Sequence, residues 1–185
     1  MGLENSNAEK IMERIFLLDR SGSMQTIRDD TIGGFNSFVS SQVGGTMSLY
    51  LFDHELTTVY ENQPIEKVEP LTKETFQPRG STALLDALGH ILKTGPSTSC
   101  TVVIMTDGEE NASHKYTHAH IKDLIDMRRM RDGWDFAYLG ANVEEGKELG
   151  IHTSVAFDTC RTAELFQTLS CAMTQASQSN SPLEF

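Results

Sequence analysis

Short, almost unbroken apolar runs alternate along the chain with stretches whose apolar residues recur every three or four positions. The runs are IFLLD (15–19), TVVIMTD (101–107), FAYLG (136–140) and SVAF (154–157). Runs of that length, rich in β-branched and aromatic residues, predict strands buried on both faces. The periodic stretches predict helices. Ile32, Phe35, Phe38 and Val39 form one stripe that stops at Gly44-Gly45, and Leu84, Leu88, Ile91 and Leu92 form a second that stops at Gly95-Pro96. Ile121, Leu124, Ile125 and Met127 predict a third helix, and Leu165, Phe166, Leu169 and Met173 a fourth. A shorter helix is expected over 143–149.

Residues 46–61, TMSLYLFDHELTTVYE, carry a different pattern, two strands joined by a turn near Asp53-His54. Strands that alternate with helices predict an α/β fold. The expected form is a Rossmann-like, doubly wound, mostly parallel six-stranded sheet with one antiparallel edge strand and helices on both faces. Between 61 and 80, Pro64, Pro70 and Pro78 interrupt any period, so a long irregular connection is expected there, of a length common in functional loops. No internal repeat is visible. One domain is expected over 13–176, after a polar segment 1–12 and before a flexible polar tail 177–185.

Charge and composition narrow the function classes. Only 15 Lys and Arg oppose 26 acidic residues, and the net charge of −11 argues against nucleic acid as a partner. The one dense basic run, MRRMR (127–131), is read as a solvated helix end, where cations suit the helix dipole. No apolar stretch approaches the roughly 20 residues that span a bilayer. The polar opening MGLENSNAEKIMER has no apolar segment of the secretory type. Cys100, Cys160 and Cys171 form neither a CxxC pair nor a disulfide ladder. A cytoplasmic protein without a membrane partner is expected, with a monomer favoured.

The candidate chemistry sits where strands end. In FLLDRSGSM (16–24) the first strand stops at Asp19, and Ser21 and Ser23 follow at alternate positions around a glycine. Asp107 ends a later strand, and PRGSTALLDAL (78–88) brings Thr82 to the head of a helix. In an open α/β sheet, ligands bind beyond the carboxyl ends of the strands, where strand order reverses. If the two strands are neighbours there, Asp19 and Asp107 face one crevice together with Ser21, Ser23 and Thr82. Two carboxylates and three hydroxyls, with no thiolate or imidazole, suit a hard cation. Mg2+ or Mn2+ is expected over Ca2+. Each piece alone also fits an Asx turn, a helix N-cap or an ordinary Asp-Gly turn. The coincidence of all three at strand ends favours the metal.

These residues resemble the metal-ion-dependent adhesion site of the von Willebrand factor A domain family. That site uses Asp-x-Ser-x-Ser, a threonine in a second loop and an aspartate in a third. Here they stand as D19-R-S21-G-S23, G80-S-T82-A-L and T106-D107-G108. The resemblance covers about residues 13–175 and looks most like stand-alone intracellular members of bacteria or phage. It implies a Rossmann-like domain in which the serines and threonine hold the metal and the aspartates often act through water. It also implies that a carboxylate from an Asp or Glu of a partner protein completes the shell. The expected function is therefore cation-dependent protein binding, with a subunit of an intracellular ATPase-type machine as the alternative. A metal-dependent phosphatase-like enzyme is a remote third.

Other constellations carry less. His114, His118 and His120 lack a third well-spaced zinc ligand. Arg20 and Arg79 flank the site as candidate contacts for an acidic partner, with plain exposure the alternative. Glu109 is a further candidate contact beside Asp107. No enzyme is expected: Ser21 stands where a dehalogenase-type phosphatase needs its second carboxylate, and neither a Gly-x-Ser-x-Gly elbow nor a GxxxxGK[ST] loop occurs.

Overall fold

The computed structural model describes residues 12–156, 162–179 and 183–184. The chain runs through β1 (Glu13–Asp19), a 3-10 turn (Gly22–Ile27), α1 (Arg28–Ser41), β2 (Thr46–Phe52) and β3 (Leu56–Pro64). After a second 3-10 turn (Ile65–Lys67) come α2 (Leu84–Thr94), β4 (Cys100–Thr106), α3 (His118–Asp132) and β5 (Asp135–Gly140). The last elements are α4 (Val143–Glu148), β6 (Ser154–Ala156) and α5 (Thr162–Ser179). The six strands lie in the order β3-β2-β1-β4-β5-β6, and only β2 and β3 pair antiparallel. This is the expected doubly wound α/β sheet with its antiparallel edge strand. Strand order reverses between β1 and β4, whose register pairs Leu18 with Met105. Asp19 and Asp107 thus leave the same sheet edge from neighbouring strands.

Alternation along the central strand builds a core on each face. Phe16 and Leu18 point to one side, where Phe35 and Phe38 of α1 and Phe166 and Leu169 of α5 cover them. The Phe16 ring meets Phe35 edge-on at 5.2 Å between centroids and stacks on Phe166 at 6.1 Å. Ile15 and Leu17 point to the other side, against Leu88 and Ile91 of α2 and Ile125 of α3. With both faces covered, the central strands have no room for polar positions, which is why they read as unbroken apolar runs.

Beyond the first strand, Gly22–Ile27 forms a 3-10 turn that drives Met24 and Ile27 into the core. Two features differ from the sequence expectation. The connection after residue 61 is more ordered at its start, because β3 continues to Pro64. The basic run is not simply a solvated helix end: Arg128 is 3% exposed. Its guanidinium donates to the carbonyls of Leu92 (2.7 Å), Gly95 (3.1 Å) and Pro96 (2.9 Å), and to Asp132 (2.6 Å). It caps the end of α2, where carbonyls lack helical partners, and it lies 4.4 Å from the Trp134 ring.

At the chain ends, α5 runs to Ser179, and Leu183 is buried with its carbonyl accepting from the Thr153 hydroxyl at 2.9 Å. Residues 1–11 of the expected polar segment 1–12, together with Phe157 and Cys160, lie outside the described residues. Among the described residues no helix is long and apolar enough to cross a membrane.

Candidate metal centre

Three loops meet at the carboxyl edge of the sheet, and main-chain hydrogen bonds fix how they meet. Arg20 N–H donates to Phe52 C=O at 2.6 Å, and Gly22 N–H donates to Gly80 C=O at 3.1 Å. Arg79 N–H donates to Arg20 C=O at 2.8 Å, closing the first loop on the second. The second loop can pass this close because Gly80 holds φ at +67°, and a β-carbon there would collide with the His54 ring.

All five oxygen-bearing residues named from the sequence arrive at this junction. Asp19 is fully buried; its Oδ1 accepts from Ser21 N–H at 2.6 Å and its Oδ2 from the Thr106 hydroxyl at 2.5 Å. The Ser21 and Ser23 hydroxyls stand 3.1 Å apart, and Ser23 donates to Asp107 Oδ1 at 2.6 Å. Thr82 is buried, and among the described residues its hydroxyl has no hydrogen-bond partner. A β-carbon built on Gly108 would stand 3.1 Å from Thr82 Oγ1, 3.4 Å from Ser23 Oγ and 3.7 Å from Asp19 Oδ2. Oxygens of the first and second loops therefore face the Gly108 backbone of the third, and Ser23 ties them to Asp107.

Burial pushes the Asp19 carboxyl up from its ordinary value to about 6, although hydrogen bonds from Thr106 and Ser21 pull it back. Burial raises Asp107 too, against the Ser23 hydrogen bond. No lysine or arginine pairs with either carboxylate among the described ion pairs. Two carboxylates placed together with no positive partner are costly as anions, and a dication would relieve that cost.

The flanking arginines turn inward on their own network. Arg20 Nε and Arg79 Nε both donate to Asp53 Oδ2, at 3.0 and 2.9 Å, while Arg79 also bonds Glu55 at 2.7 Å and Arg20 bonds Thr57 at 3.0 Å. Burial alone would raise the pKa of Asp53; the Glu55 N–H and the two guanidiniums outweigh it and hold the group below its ordinary value. Glu109 is exposed at the tip of the third loop.

Among the described residues the one group of three metal-type side chains is Asp53, His54 and Glu55, with ligand atoms within 4.8 Å of one another. Two guanidiniums already occupy Asp53 Oδ2, and their charge opposes a cation there. The histidines at the start of α3 have separate neighbours: His118 lies 3.9 Å from Glu145, and His120 packs edge-on against Tyr116.

Sequence reasoning passed over the residues that brace the third loop. The Glu110 carboxylate accepts from Leu85 N–H (2.9 Å), Ala112 N–H (2.9 Å), Ser113 N–H (2.7 Å) and the Ser113 hydroxyl (2.8 Å). It thereby ties the Leu85 N–H, one of the groups without a helical partner at the start of α2, to the third loop. Asn111 bonds Thr82 directly, with Thr82 N–H donating to its Oδ1 at 2.9 Å.

No family model matches the sequence, and no curated protein matches it. Solved structures do resemble it. A von Willebrand factor type A protein from Catenulispora acidiphila superposes with a TM-score of 0.62 at 16% identity, over 87% of this chain and 42% of that one. This chain thus spans less than half of that protein. The vWF domain of the type V pili tip protein Mfa5 from Porphyromonas gingivalis matches with a TM-score of 0.68 at 11% identity, over 90% and 96%. Manganese-loaded TRAP protein from Plasmodium vivax matches with a TM-score of 0.60 at 16% identity, over 85% and 72%. At such identities the likeness speaks for the fold, and the chain has the fold of the von Willebrand factor A domains.

Proposed function

We propose that this domain is a protein-binding module that works through a divalent cation held by Asp19, Ser21, Ser23, Thr82 and Asp107. The observation that carries the proposal is the convergence of Thr82 Oγ1, Ser23 Oγ and Asp19 Oδ2 on the space beside Gly108. The donor set is all oxygen with only two carboxylates, which suits Mg2+ or Mn2+ better than the larger Ca2+. The manganese in the Plasmodium vivax neighbour fits the same expectation. When bound, the cation supplies an electrophilic centre with room for an external carboxylate from an Asp or Glu of a partner. The chain's own residues keep the seat open, orient the hydroxyls and hold the aspartates in place. No general acid or nucleophile is assigned, and the module acts as a binder, not an enzyme.

Titration calorimetry with MgCl2 and MnCl2 tests the reading. Wild type should take up one ion per chain and Asp19→Ala none; equal uptake by both would overturn it. Capture of a partner from extract in Mg2+ but not in EDTA tests the protein-binding half.

A further inference from the structure

Of the five oxygen-bearing residues, Thr82 has the least support from its own element. It stands two residues before α2, in a stretch without regular structure, whereas Asp19 closes β1 and Asp107 directly follows β4. Its hydroxyl can be aimed only as well as its main chain is held. Both polar groups of that main chain are taken by the third loop. Thr82 N–H donates to Asn111 Oδ1 at 2.9 Å. Asn111 N–H donates back to Thr82 C=O at 3.0 Å, and Ala112 N–H reaches the same carbonyl at 3.1 Å.

We infer that Asn111 is a positioning residue for the cation site, setting the threonine of the second loop against the aspartate of the third. The inference rests on the cation-binding reading above. Four positions separate Asn111 from Asp107, so the clasp joins oxygens of two loops into one unit. Asn111 is not needed to start α2. The first N–H groups of that helix already have other partners, Glu110 for Leu85 and the Ser113 hydroxyl for Asp86 at 3.0 Å. What the Asn111 side chain adds is the hold on Thr82 itself. An amide suits the task because its oxygen accepts from a buried N–H without bringing another negative charge beside Asp19 and Asp107.

The test compares wild type, Asn111→Ala and Asn111→Asp by calorimetric titration with MnCl2. Amide exchange at Thr82, followed by NMR in EDTA, gives a readout independent of the metal. Asn111→Ala should bind Mn2+ roughly tenfold more weakly, the size of one lost hydrogen bond, and its Thr82 amide should exchange faster. Asn111→Asp keeps the acceptor oxygen and should restore slow exchange and most of the affinity. If Asn111→Ala does not fold, Asn111→Ser, too short to reach the Thr82 N–H, carries the same comparison. Wild-type affinity in Asn111→Ala, or equal losses in the alanine and aspartate variants, would overturn the positioning role while leaving the cation site standing. Failure of the wild type itself to bind Mn2+ would remove both.

Discussion

The Thr106 hydroxyl lies 2.5 Å from Asp19 Oδ2, joining the ends of β4 and β1 at the point where strand order reverses. The bond partly offsets the cost of a carboxylate that is fully buried. Asp19 therefore couples the charge of the site to the stability of the fold, and that coupling has a sign.

Burial raises the folded-state pKa of Asp19 from 3.8 to about 6. Between those values the metal-free folded chain holds a proton that the unfolded chain has released. Its stability should fall as pH rises through that window and level off above about 6. A shift of about two units corresponds to roughly 3 kcal/mol as an upper figure. Asp19→Asn removes the ionisation while an amide oxygen can still accept from Ser21 N–H. In EDTA at pH 7.5 this variant should melt above wild type, and MgCl2 should not shift it further. Melting curves from pH 4.5 to 8 decide the matter; a variant less stable than wild type at pH 7.5 would contradict the burden assigned to Asp19.

Chelation should lower the melting temperature without unfolding the domain. Two apolar cores pack against the sheet on opposite faces, and the five oxygen-bearing residues lie at its edge. The loss is then the mass-action contribution of a ligand, about 2.7 kcal/mol at a hundredfold excess over Kd. For a domain of this size that is about 5–10 °C. Circular dichroism should show the same helical signal at 25 °C in EDTA and in Mg2+; collapse of that signal would mean that the metal is part of the core.

Arg128 should prove more important for folding than its place in a basic run suggests. Arg128→Met keeps much of the volume but leaves the carbonyls of Leu92, Gly95 and Pro96 without their donor and breaks the 2.6 Å pair with Asp132. A loss of about 2–4 kcal/mol in urea unfolding is expected. Arg131→Met, whose ion pair with Asp132 is exposed on the arginine side, should leave the unfolding midpoint nearly unchanged. Equal effects would place Arg128 on the surface.

The contrast between these arginines marks where the sequence was legible. Position 128 completes the spacing Ile121, Ile125, Arg128 on the buried stripe of α3, so the period itself pointed inward. The charge hid that signal, because a buried guanidinium needs acceptors that only the distant end of α2 supplies. The five site oxygens were legible for the opposite reason, since strand ends and short motifs place them without knowledge of packing. Asn111 and Glu110 were not, because the groups they tie to the second loop, the N–H groups of Thr82 and Leu85, lie more than twenty positions away. The mostly parallel sheet with its antiparallel edge strand followed from strand–helix alternation and the hairpin pattern. The 3-10 turn at Gly22–Ile27 did not, since a single turn is too short to show a period.

Gly108 permits a test that alters no proposed ligand. Its φ lies outside the left-handed region, so alanine fits the backbone without strain. The added methyl group would stand 3.1 Å from Thr82 Oγ1 and 3.4 Å from Ser23 Oγ. It would intrude on the space those hydroxyls face and set an apolar group against their oxygens. Gly108→Ala should therefore fold, with its melting temperature in EDTA close to that of wild type, yet bind Mg2+ and Mn2+ at least tenfold more weakly. Gly33 offers the control, because a β-carbon there meets nothing within 4 Å, and Gly33→Ala should bind as wild type does. Calorimetric titration of the three proteins separates two outcomes. If Gly108→Ala binds like wild type, the cation does not sit beside Gly108, and the five residues are a hydrogen-bonded junction between loops, not a metal seat.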